Sequence, residues 1–154
     1  MDRGFVHVYT GNGKGKTTAA LGLALRAAGA GLHVFIAQFA KGMDYSELRS
    51  IQLLGSHVTL RQYGMGHFIR DTPVSEDLHA AMHGLTDVRR AIASGRYDLI
   101  VLDEANIGTL FWLYTATSFE TEAANGAYYF FAVSGSGMVS VYIQIGRASC
   151  RERV

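Results

Sequence analysis

The chain has 154 residues, 49% of them apolar, and a formal net charge of +1, which suits one soluble domain around a single core. That balance leaves no basic stripe for nucleic acid, no acidic block typical of a disordered tail, and no apolar run long enough to cross a bilayer. Cys150 is the one cysteine, which excludes an intrachain disulfide. Met1-Asp2-Arg3 leads straight into a strand-like run with no signal peptide, so a cytoplasmic protein without membrane or nucleic-acid partners is expected.

Phe5 to Tyr9, FVHVY, is β-branched and aromatic and ends in a glycine-rich turn; it predicts the first strand. Thr17 to Ala28 is helix-forming, with Gly29 and Gly31 as stop signals. His33 to Gln38 predicts a second, buried strand, followed by a short helix over Ser46–Leu54 and a strand over Val58–Gln62. The stretch from Tyr63 to Pro73 reads as a loop and contains the one proline. Ser75, with Glu76 and Asp77 behind it, is the expected N-cap of a long helix running to about Ser94, ended by Gly95. Asp98 to Asp103, DLIVLD, is apolar up to its acidic end and predicts a fourth strand. Continuous apolar strands alternating with helices imply an α/β fold with a mostly parallel sheet covered on both faces. Beyond Phe111 no clear period is visible; the plain reading of residues 112–144 is a pair of strands with a loop.

The chemistry starts at YTGNGKGKTTAALGLALRAAG, Tyr9 to Gly29. In the Walker A pattern glycines let the backbone wrap a phosphate, so that successive N–H groups and the following helix N-terminus face the anion. Gly15-Lys16-Thr17 supplies the second half of that pattern: Lys16 as a charge on phosphate oxygens, Thr17 as a hydroxyl for Mg²⁺. Thr10 stands where the first glycine belongs, with Gly11 beside it. The second half of the site is expected at Asp103 and Glu104, carboxylates at the sheet's carboxyl edge, one of which holds the metal directly or through its waters. His79 and His83 lie four apart without the intervening glutamate of a metalloprotease helix and read as surface or packing residues.

VHVYTGNGKGKTTAALGLALRAAGAG, AQFAKG and YDLIVLDEANI together resemble the P-loop ATP:corrinoid adenosyltransferases, over roughly residues 3–111. The Thr10 form of the loop, Gln38-Phe39 with Lys41-Gly42, YSEL at Tyr45–Leu48 and the loop YGMGHFI also fit that family. The resemblance implies a P-loop NTPase (RecA-like) three-layer sandwich. It implies transfer of the 5′-deoxyadenosyl group of ATP to the Co(I) of a reduced corrinoid, releasing triphosphate, in adenosylcobalamin synthesis or salvage. ATP and Mg²⁺ or Mn²⁺ are then the cofactors, the corrinoid is the substrate, and a flavoprotein reductase and a second copy in a homodimer are the implied partners. Thr10, Gly11, Asn12, Gly13, Lys14, Gly15, Lys16, Thr17 and Thr18 would meet the nucleotide phosphates. Arg26 would lie towards the nucleoside, or else be a solvated helix charge, and Gln38 would contact ligand or metal water. Lys16, Thr17 and Glu104 carry the catalytic expectation; Thr17, Asp103 and Glu104 the metal; Gly64, Gly66, His67 and Phe68 the corrinoid. His67 is not expected to ligate cobalt, since ligation opposes reduction. A regulatory nucleotide-binding module and a phosphate-releasing ATPase or small-molecule kinase are the competing classes; neither yields triphosphate in a corrinoid-dependent way.

Three sections follow from these readings: a P-loop domain over residues 1–111, a divergent or frameshifted continuation over 112–144, and Ile145–Val154, IGRASCRERV, which equals a translated sequencing adapter. On this expectation the sheet is incomplete at its carboxyl end, with apolar surface left open.

Overall fold

A computed structural model describes residues 5–10, 14–66, 73–105 and 139–144. The elements are β1 (Phe5–Thr10), α1 (Lys16–Gly29), β2 (Val34–Phe39), α2 (Ser46–Gln52), β3 (Val58–Tyr63), α3 (Ser75–Ala93), β4 (Leu99–Asp103) and β5 (Val139–Gln144), with a single 3₁₀ turn at Gly55–His57 between α2 and β3. The sheet order is β1-β5-β4-β2-β3. β2 pairs in parallel with β3 and with β4, whereas β5 lies antiparallel between β1 and β4. Four of the five strands therefore point one way, as the continuous apolar runs imply.

Period-two alternation sorts the strands into two cores. Val34, Ile36, Leu99 and Val101 face one side, where Ala20, Ala24 and Ala27 of α1 and Ile51 of α2 cover them. Phe35, Ala37, Phe39, Ile100 and Leu102 face the other side, under Ala81, Leu85, Val88 and Ala91 of α3. The result is a three-layer α/β sandwich. Small residues on α1 let its backbone approach the sheet closely, which brings its N-terminus over the strand ends.

A polar clamp fixes α3 to β3. Arg61 donates to Asp87 at 2.6 Å and the Tyr63 hydroxyl donates to the same carboxylate at 3.0 Å. Burial alone would push the Asp87 carboxyl up, but these two donors win and hold it below the usual carboxylate range. Burial and the Asp87 contact push the Tyr63 phenol well above its ordinary value.

Several boundaries differ from the sequence reading. The N-cap of α3 is Val74 rather than Ser75. The Asp77 carboxylate turns back to accept the Val74 N–H at 3.1 Å, while the Ser75 hydroxyl turns to Glu76. β2 and β4 begin one residue later than expected, because the His33 backbone is already occupied in bonding Asp98: the His33 N–H donates to the Asp98 side chain and the Asp98 N–H to the His33 carbonyl. In the expected pair of strands after Phe111, the described element is β5; residues 106–138 and 145–154 lie outside the described residues.

Candidate functional site

Register places three polar side chains on one rung of the sheet. Gln38 of β2 stands opposite Gln62 of β3 on one side and Asp103 of β4 on the other. All three share strand parity with the apolar residues that face α1, at the carboxyl end of parallel strands. The Gln62 amide donates to the Gln38 carbonyl oxygen at 3.1 Å, and the Gln38 amide donates to Asp103 at 3.2 Å. Gln38 is fully buried and Asp103 is 1% exposed.

The first turn of α1 closes this rung from above. Gly15 precedes the helix, its carbonyl accepting the Ala19 N–H at 2.8 Å. Thr17 then reaches Asp103, its hydroxyl lying 3.1 and 3.0 Å from the two carboxylate oxygens. Lys41, two residues beyond β2, donates to Asp103 at 2.7 Å and to the Thr17 hydroxyl at 3.2 Å. A buried carboxylate thus gathers a hydroxyl, an amide and an ammonium in one place.

Glu104 adds a second carboxyl. Its backbone is left-handed, at φ 58°, and one of its oxygens, Oε2, is buried with no hydrogen-bond partner among the described residues. Burial, and next the negative charge of Asp103, push its carboxyl above the usual range against the pull of Lys41 and Lys16. Ala40, just past β2, is also left-handed at φ 52°. A non-glycine residue there costs about 1 kcal/mol or more, and both such residues immediately follow strands that end at the site.

The hydroxyl of Thr17, the carboxylate of Asp103 and the unsatisfied Glu104 oxygen are hard donors, and they fit a small divalent cation such as Mg²⁺ or Mn²⁺. The α1 N-terminus beside them, carrying Lys16, Thr17 and Thr18, faces the same end of the sheet and suits an anionic polyphosphate.

The sequence-predicted residues fall into three groups. Lys16, Thr17, Gln38, Asp103 and Glu104 converge at the α1 end of the sheet. Lys14 and Thr18 are exposed beside them, and Thr10 ends β1. Arg26 stands in the last turn of α1, about 15 Å of helix rise from Lys16. Gly64 and Gly66 form the turn after β3, packed on Gly42. Next to that turn a cleft of about 440 Å³ is lined by Tyr63, Met65, Glu76, His79 and His83 among others. Gly11, Asn12, Gly13, His67 and Phe68 lie outside the described residues. Two participants carried no predicted role: Lys41 and Gln62. The signal for Gln62 was a polar residue at or next to the end of each of three strands, at Gln38, Gln62 and Asp103; that for Lys41 was a cation two residues after a strand whose neighbour ends in a carboxylate.

The family model described as ATP:corrinoid adenosyltransferase BtuR/CobO/CobP matches residues 2–118. A corrinoid adenosyltransferase of Escherichia coli strain K12 is 40% identical over 104 residues, which is 67% of this chain and 52% of that protein. The corrinoid adenosyltransferase CobA of Salmonella typhimurium strain LT2 is 41% identical over the same shares. A corrinoid adenosyltransferase of Pseudomonas aeruginosa is 32% identical over 107 residues, 69% of this chain and 53% of that protein. The chain spans about half the length of the curated relatives it matches. With the family model matching residues 2–118, the chain belongs to the ATP:corrinoid adenosyltransferase family.

Proposed function

We propose that the protein transfers the 5′-deoxyadenosyl group of ATP to the Co(I) of a reduced corrinoid, in the synthesis or salvage of adenosylcobalamin. A bond forms between cobalt and the 5′ carbon, the bond from that carbon to the triphosphate oxygen breaks, and triphosphate leaves. The observation that carries this reading is the Thr17–Asp103–Lys41 cluster at the N-terminus of α1, in a chain of this family.

Each residue's part follows from its chemistry. Lys16, Thr18 and the backbone N–H groups around Lys14 and Gly15 bind the phosphates and favour charge growing on the leaving triphosphate; Thr10 to Gly13 complete the loop. Thr17, Asp103 and Glu104 hold the divalent ion, which when bound supplies further positive charge against the triphosphate. Gln38 and Gln62 keep the Asp103 carboxylate oriented. No general base is needed, because the nucleophile is the metal of the substrate. The remaining task is alignment of the 5′ carbon with cobalt and exclusion of water. For that we assign the Gly64–Gly66 turn with His67 and Phe68 to the corrinoid, and Arg26 to the nucleoside side. A cytoplasmic setting, a flavoprotein reductase as electron source and a homodimer complete the reading; no described helix is long and apolar enough to cross a membrane.

The test is anaerobic incubation with Mg-ATP and cob(I)alamin, following the visible spectrum for cobalt–carbon bond formation and the nucleotide products by chromatography. Corrinoid-dependent triphosphate is expected, lost in Lys16→Ala. ADP and phosphate, produced with or without corrinoid, would establish a phosphate-releasing ATPase instead.

A further inference from the structure

Lys41 occupies the place between Thr17 and Asp103 where a divalent ion would share the same two oxygens. Its ammonium lies 2.7 Å from Asp103 Oδ2 and 3.2 Å from Thr17 Oγ1, and its side chain is 16% exposed. The Tyr45 ring lies 5.8 Å from the ammonium and forms one wall of its position. The turn that carries it is braced: Ala40 is left-handed, and the Ala40 N–H donates to the Tyr63 carbonyl at 2.9 Å. Gly42 is pressed on the backbone of Gly64 and Gly66 so closely that a Cβ there would overlap their atoms. With the backbone pinned on both sides of Lys41, movement of the ammonium is left to rotation of its side chain.

Asp103 at 1% exposure is a carboxylate that needs positive partners. A lysine and a divalent ion can each supply one, but two cations bridging the same Asp103 and Thr17 oxygens would repel each other at contact distance. We propose that Lys41 is a displaceable internal cation: it holds Asp103 and Thr17 ready while the site is empty, gives way when a divalent ion arrives with its nucleotide, and is then free to pair with the phosphates. This rests on the nucleotide-binding reading above. It has a physical consequence for the order of binding. A bare divalent ion must evict an ammonium and leaves it without an anionic partner, whereas an ion bound to a polyphosphate brings an anion for the evicted ammonium. The protein thus discriminates against the free ion and in favour of the metal–nucleotide complex.

The test compares Mn²⁺ alone with Mn-ATP, using the 154-residue chain, by the paramagnetic resonance signal of unbound Mn²⁺. In Lys41→Met, bare Mn²⁺ should bind at least about tenfold more tightly than in the parent, since a competing charge at contact distance is gone. Mn-ATP should gain much less, or bind more weakly, because the evicted ammonium is missing. Arg49→Met removes an equal charge from an exposed position on α2 and should change neither affinity. Should Lys41→Met fail to fold, Lys41→Gln keeps a polar donor without the charge and must show the same pattern. Unchanged or weaker Mn²⁺ binding in the Lys41 variants, an equal gain in Arg49→Met, or an equal gain for Mn-ATP would each overturn the proposal. If the parent binds Mn²⁺ but no Mn-ATP, the nucleotide reading fails, while the bare-ion comparison still decides whether Lys41 competes with the metal.

Discussion

Two glycine-to-alanine substitutions, one in each long helix, should move stability in opposite directions. Gly22 lies within α1, and a Cβ built there meets nothing within 4 Å. Gly84 lies within α3, buried, and a Cβ there would stand 2.6 Å from Tyr63 Cγ and 2.8 Å from Phe39 Cε1. Alanine removes unfolded-state freedom and favours helix by about 1 kcal/mol at either position. At Gly22 that gain stands alone, so Gly22→Ala should stabilise by about 0.5–1 kcal/mol, or roughly 1–4 °C in Tm for a chain of this size. At Gly84 the gain is set against overpacking two buried rings, one of them met at its base atom Tyr63 Cγ, a cost of about 2–3 kcal/mol. The net is a loss of about 1–2 kcal/mol, or roughly 2–8 °C. Because α1 and α3 cover opposite faces, the double variant should equal the sum within about 0.5 kcal/mol. Thermal unfolding followed by circular dichroism reads all three. A Gly84→Ala protein as stable as its parent would mean that α3 does not lie this close to Phe39 and Tyr63, and the packing account of that face would be wrong.

Three further expectations follow. The Asp87 carboxyl is held below its ordinary value, so it contributes stability that is present at neutral pH and is lost as pH falls below the usual carboxylate range towards its lowered folded value; Asp87→Asn should be less stable at pH 7 by about 1–3 kcal/mol and flatter in that acid window, measured by urea unfolding. Gly42→Ala sets a Cβ against the Gly64 carbonyl and the Gly66 nitrogen, where no side chain can yield; a loss of about 3 kcal/mol in unfolding free energy is expected, larger than at Gly84. Thr17→Val keeps the shape of Thr17 and removes its hydroxyl, so Mg²⁺-dependent ATP binding measured by calorimetry should weaken about tenfold or more. Equal affinity would remove Thr17 from the metal's donor set.

Much of the architecture was legible because each element is locally consistent. VFIAQF and LIVLD are apolar except for Gln38 and Asp103, and every residue of both strands is buried. The loop before α1 announces itself by glycine, lysine and threonine in fixed order. What the sequence hid depends on register between segments far apart in the chain. That Gln62 meets Gln38, and Gln38 meets Asp103, follows from two parallel pairings that no local pattern specifies. Lys41 was visible only as part of a family mark; its role emerges from a left-handed alanine and a glycine-on-glycine contact that aim it back across the strand end. At the N-terminus of α3 the cap lies one residue before the good capping residue Ser75, because Asp77, three residues inside, accepts the Val74 N–H and fixes Val74 as the cap.

The same dependence on packing explains how Thr17 reaches Asp103 although the strands leading to them are not neighbours. β5 lies between β1 and β4, which separates those two strands by two inter-strand spacings, roughly 9–10 Å. Strand adjacency therefore does not deliver the contact. α1 does: its alanine stripe crosses the sheet and packs over Val34, Ile36, Leu99 and Val101, which carries its first turn to the end of β4. The helix packs on β2 and β4, and every residue of these two strands is buried. A polyphosphate site built this way depends on the α1 face of β2 and β4. Substitutions in that alanine stripe, such as Ala24→Val at a position with no exposure, should then displace Thr17 from Asp103 and weaken ATP binding as well as stability. A substitution that lowers stability and leaves ATP affinity intact would show that the first turn of α1 is held by the loop before it and not by the helix.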